Sequence, residues 1–82
     1  MPTVLRILGL RVSIRTNDHG PPHVHVVGGG KEAKFHLNCP QGPTALWENF
    51  GFRRAELNEI KSELDKALQL LCGEWSKIHG DF

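Results

Sequence analysis

No run of apolar residues in this 82-residue chain approaches the roughly 18 needed to cross a bilayer, which excludes a membrane-spanning helix. The opening residues, Met1-Pro2-Thr3-Val4-Leu5-Arg6, lack the long apolar stretch of a secretory leader, so the chain is expected in the cytoplasm. Net charge is almost absent. Ten Lys plus Arg against nine Asp plus Glu leave +1, and a total that small selects no partner. Cysteine is scarce, and Cys39 and Cys72 have no CxxC spacing, so both are expected as free thiols in a reducing compartment. No repeat or low-complexity segment interrupts the chain. Gly28-Gly29-Gly30 is followed by Lys31-Glu32 rather than by the Lys-Ser/Thr and helix of a phosphate loop, so it reads as a hairpin turn.

What is present is the composition of a globular protein, 39% hydrophobic and 23% charged, in a length that suits one domain over residues 1–82. Residues 1–50 read mainly as strands. Thr3 to Leu8 is rich in apolar and β-branched residues, and Arg11 to Arg15 alternates, with a tight turn at Gly9-Leu10 between them. A turn cluster, Asn17 to Pro22, precedes extended patterns at His23–Val27 and Lys31–Leu37. Ala45 to Phe50 is a further edge-strand candidate; Trp47 within it is a candidate for stacking on a base, but Phe50 and Phe52 close by favour core packing of its ring. From residue 53 to 79 the period changes. Leu57, Ile60, Leu64, Ala67, Leu68, Leu71, Trp75 and Ile78 recur at spacings of three and four, the stripe of an amphipathic helix. At about 1.5 Å per residue that helix would outgrow the domain, so a break is expected near Leu64–Asp65 or Gly73. The expected fold is two-layer α+β: an antiparallel sheet of four to five strands with a long or broken C-terminal helix packed on one face.

Charge is distributed unevenly. Arg6, Arg11, Arg15, Lys31 and Lys34, with His19, His23, His25 and His36, precede Pro40, against only Asp18 and Glu32. Period-two alternation turns Val12, Ile14, Val24, Val26, Ala33, Phe35 and Leu37 to the core. It sends Arg6, Arg11, Arg15, His23, His25, Lys34 and His36 to an opposite face expected to be open to water or a partner. His-x-His on a strand places two imidazoles on one side. His23 and His25 are therefore candidates for an acid–base pair, with Arg11, Arg15, Lys34 and His36 holding phosphate or a partner and Asp18 and His19 in the supporting loop. The same histidines also suit a divalent metal such as zinc, bound through His19, His23 and His25 with Asp18 or His36 near by. Histidines on a merely solvated face are the third reading.

Asn17-Asp18-His19-Gly20-Pro21-Pro22-His23-Val24-His25-Val26, together with Met1 to Ile7, Gly29-Gly30, Glu32-Ala33-Lys34-Phe35, Gly51-Phe52, Glu56-Leu57 and Trp75, resembles the bacterial domain-of-unknown-function family 4160 over nearly the whole chain. Glycine at position 20, where the family often has proline or an acid, departs from the pattern. The resemblance implies a small stand-alone bacterial protein encoded beside another small domain, the pair looking like a toxin–antitoxin module. A cognate small protein is then the expected partner and RNA a further ligand of the basic face. A non-catalytic protein-binding module is the competing expectation.

Overall fold

The structure, a computed structural model, describes residues 3–80. The two residues at each end of the expected 1–82 domain lie outside them. Five strands, β1 (Thr3–Ile7), β2 (Leu10–Ser13), β3 (His23–Gly28), β4 (Lys31–His36) and β5 (Ala45–Phe50), precede two helices, α1 (Arg54–Lys66) and α2 (Leu68–His79). The strands form one antiparallel sheet in chain order, with β1 and β5 at its edges.

Two-residue turns set the register of both hairpins. Gly29 and Gly30 join β3 to β4 with φ of 57° and 76°. A type I′ turn requires positive φ at both central residues, and glycine adopts it without a Cβ clash. The β1–β2 turn is Leu8-Gly9 and not Gly9-Leu10, because Ile7 pairs with Leu10. This leaves Leu8 exposed at φ 51°.

The core forms as the two periodicities dictate. Val12, Ile14, Val24, Val26, Ala33, Phe35 and Leu37 from the sheet segment are buried in one cluster with Phe52, Ile60, Leu64, Leu68, Leu71 and Trp75. Leu57, at the start of the stripe, is only partly buried. A sheet with helices on its apolar face is the expected α+β architecture.

The helix does break, at Ala67, one turn from the first of the two expected places. Ala67 has φ −101° and ψ 12°, and its N–H is shared between Glu63 O and Leu64 O at 3.2 and 3.1 Å. A continuous helix over 54–79 would be about 40 Å long, more than the longest extent of the fold, 32 Å. The break lets α2 close the end of the sheet from which the 14–22 and 37–44 loops leave. Cys72 bonds Cys39, Trp75 packs on His23 and His79 Nε2 donates to Arg15 O. The expectation of free thiols at Cys39 and Cys72 is therefore corrected. The loop after β4 carries Cys39 to α2, a meeting of segments that spacing along the chain does not reveal.

Asp65 fixes the break from the other side. Its Oδ1 accepts the N–H and hydroxyl of Thr44, at 2.8 and 2.7 Å, and its Oδ2 accepts from Lys61 Nζ. Burial alone would raise this carboxyl; the bonds from Thr44 and Lys61 outweigh it and hold the group below the usual carboxylate range. A depressed folded-state value stabilises the fold above the ordinary carboxylate value and loses that contribution as pH falls through the folded one. Asp65→Asn is expected to cost about 1–3 kcal/mol at pH 7. Urea unfolding of both proteins should show that difference shrinking below about pH 4.

Candidate site: a buried aspartate–histidine cluster beside an exposed tryptophan

Cross-strand pairing puts the expected residues on one face. Ser13 pairs with His25, His25 with Lys34 and Lys34 with Glu48, while His23 pairs with His36. The face assignment therefore stands, but the expectation that it is open does not. His25 is 1% exposed and His23 4%. Three groups cover them. The loop after β2 turns back through Asp18 N–H donating to Arg15 O, and this lays the Asp18 carboxylate against both rings. Trp75 packs on His23 from α2, and Trp47 meets His23 edge-on from β5.

Asp18 Oδ2 stands 2.9 Å from His25 Nε2 and 3.3 Å from His23 Nε2, and also accepts the Arg15 N–H. The other ring nitrogens are engaged too. His23 Nδ1 donates to Pro21 O at 2.9 Å, and His25 Nδ1 lies 3.3 Å from Glu32 Oε2. The prolines before β3 thus have a structural use: Pro21 O orients His23, and Pro22 O accepts Leu37 N–H. Burial alone would raise the Asp18 carboxyl. The hydrogen bond from His25, the charges of His25 and His23, and the Arg15 N–H reverse this and hold it below the usual range. Every ring nitrogen of the two histidines is thus directed at a protein oxygen.

Asp18, His23 and His25 offer three ligand atoms within 4.8 Å of one another. His19 is exposed and stands outside this group. In the expected metal set of His19, His23 and His25, Asp18 therefore takes the place of His19. Adjacent loop residues carry no periodicity, so nothing in the sequence said which of the two would turn inward.

The remaining expected residues form a different surface. Arg15 pairs with Glu32 at 3.1 Å and Lys34 with Glu48 at 2.8 Å, so acids answer much of the anticipated positive patch. Arg11 is exposed and pairs across the sheet with Arg6. Trp47, expected in the core, is 44% exposed. The register shifts between Lys34 and Phe35, which pair with Glu48 and Leu46 and leave Trp47 as the extra residue of a bulge. The bulge turns the indole onto the outer face, stacked on His36 with centroids 4.6 Å apart and planes 16° apart. Lys34 Nζ lies 5.2 Å from the Trp47 ring centroid.

No curated protein and no solved structure matches the chain. A family model does match it, over residues 9–76, under the description "Domain of unknown function (DUF4160)".

Proposed function

The chain belongs to this family of domains of unknown function, and we propose that it is one component of a bacterial toxin–antitoxin pair that contacts single-stranded RNA through the outer face of its sheet. The pairing with a cognate small protein rests on what the family resemblance implies, and the proposed place of action is the cytoplasm. No helix among the described residues is long and apolar enough to cross a membrane.

RNA contact is carried by one observation: a half-exposed indole, stacked on an imidazole and flanked by an ammonium, on the face that also exposes Arg6 and Arg11. Exposed aromatics beside cations stack unpaired bases while the cations track the phosphates. In this role His36, Lys34 and Arg11 contact the ligand. His23 meets the indole edge-on at 5.1 Å between ring centroids, and catalysis is assigned neither to it nor to His25.

Trp47→Ala is expected to weaken binding of a fluorescein-labelled oligouridylate by about 1–3 kcal/mol, read by anisotropy. For about three phosphate contacts, the wild-type affinity should fall with a log–log salt slope of about −2. An affinity unchanged by Trp47→Ala, or no binding at low salt, contradicts the RNA reading.

A second reading has its own support. β5 is an edge strand that exposes Leu46, Trp47 and Phe50, the last at 59%. Edges of this kind pair with other chains. A non-catalytic module that docks the cognate protein there would lose that partner, and no RNA affinity, on Trp47→Ala.

A further inference from the structure

The geometry points to a binding site for one first-row divalent transition ion, of which zinc is the representative, formed by Asp18 Oδ2, His23 Nε2 and His25 Nε2. This assignment is independent of RNA contact.

The convergence of three side chains carries it: Asp18, His23 and His25 each bring one ligand atom to within 4.8 Å of the others. Four imidazole nitrogens face four oxygen contacts: Pro21 O, Glu32 Oε2 and, twice, Asp18 Oδ2. A neutral imidazole has one N–H, so two neutral rings can donate to only two of these. A carbonyl oxygen only accepts, so the proton of His23 is on Nδ1, facing Pro21. Its Nε2 lone pair then faces the Asp18 carboxylate. If His25 likewise gives its Nδ1 proton to Glu32, a second lone pair faces the same oxygen. Two nitrogen lone pairs and a carboxylate converging at 2.9 and 3.3 Å repel one another unless a cation stands among them. With the His25 proton on Nε2 instead, that N–H donates to Asp18 Oδ2 at 2.9 Å, and an incoming ion displaces the proton.

The surroundings are those of a metal site. Metal-ligating histidines commonly donate the distal N–H to a carbonyl or carboxylate, which fixes tautomer and ring orientation. Pro21 O and Glu32 supply one of each here. Ligand atoms about 2.0–2.2 Å from a tetrahedral zinc stand roughly 3.3 Å apart. The two separations to Asp18 Oδ2, 2.9 and 3.3 Å, are near that value, and the two imidazoles, whose ligand atoms lie within 4.8 Å, would close on the ion. Two imidazoles and one carboxylate favour zinc, cobalt or iron(II) over magnesium and calcium, which take oxygen ligands. Three protein ligands leave one tetrahedral position to water. The ion would tie the 14–22 loop to β3 and hold the His23 ring against the edge of Trp47.

The test uses untagged, chelator-stripped full-length protein, titrated with zinc chloride by calorimetry and with cobalt chloride by visible absorption. The wild type should take up one equivalent and give a cobalt d–d spectrum. Asp18→Asn and His25→Ala should each weaken binding by more than the roughly 10–100-fold that loss of an outer hydrogen-bond partner brings, and Glu32→Gln should fall within that range. A triple variant, His19→Ala, His36→Ala and His79→Ala, retains every proposed ligand and should bind as the wild type does. It also decides the matter if Asp18→Asn or His25→Ala fails to fold. No uptake by the wild type, loss of uptake in the triple variant, or wild-type affinity in folded Asp18→Asn each overturns the assignment.

Discussion

Replacing Leu64 by alanine is expected to remove about 2–5 kcal/mol of stability, the range for emptying a fully buried leucine site. Leu64 is 0% exposed and belongs to the cluster that joins Val24, Val26 and Phe35 of the sheet to Ile60 and Leu71 of the helices. The loss combines the transfer of its methyl and methylene groups to water with the cavity that tight neighbours leave unfilled. A chain of this length holds only about 4–12 kcal/mol in total. One substitution therefore takes a large share, and the melting temperature should drop by at least about 8 °C. Leu70→Ala is the control. Leu70 is 47% exposed on α2, and its truncation should change stability by no more than about 0.5 kcal/mol. Urea unfolding of the three proteins measures both effects. A Leu64→Ala loss below about 0.5 kcal/mol would place Leu64 on the surface and undo the helical stripe.

The Cys39–Cys72 disulfide is expected to contribute about 3–4 kcal/mol, the chain-entropy value for a loop of about 33 residues. That loop contains β5 and α1, so cutting the link frees α2 from the loop that follows β4. Cys39→Ala/Cys72→Ala, compared with the wild type without reductant, should unfold at correspondingly lower urea. Adding dithiothreitol should bring the wild type down to the variant. Two titratable thiols in unreduced wild type, with no shift in midpoint, would contradict the link. Because cytosolic disulfides are uncommon and often transient or regulatory, alkylation of intact cells before lysis shows whether the pair is closed where the protein acts.

Alternation is a local property, and it made one layer of this molecule legible. Val24 and Val26 are apolar enough to name the core face of β3, and His23 and His25 follow to the other face without further information. The helical stripe from Ile60 to Trp75 was legible in the same way, as was the need for a break, since a helix cannot exceed the domain it covers. Alternation does not say whether a face is covered, however. His25 is enclosed because a loop with no periodicity folds back and sets Asp18, rather than exposed His19, on the ring. Trp47 was misplaced for a related reason. A one-residue bulge reverses the side to which a strand's residues point, and β5 has no alternation strong enough to reveal it. The disulfide joins two segments that only the finished fold brings together.

The nitrogen-15 resonances of the five imidazoles, followed by long-range proton correlation as one equivalent of zinc is added, test the convergent Asp18–His23–His25 cluster most directly. Nδ1 of His23 and His25 should carry the protons in the zinc-bound protein. Their Nε2 resonances should shift on zinc addition, while His19, His36 and His79 stay in place. Nε2 resonances of His23 and His25 that do not respond to zinc, or a response confined to the other three rings, would contradict it.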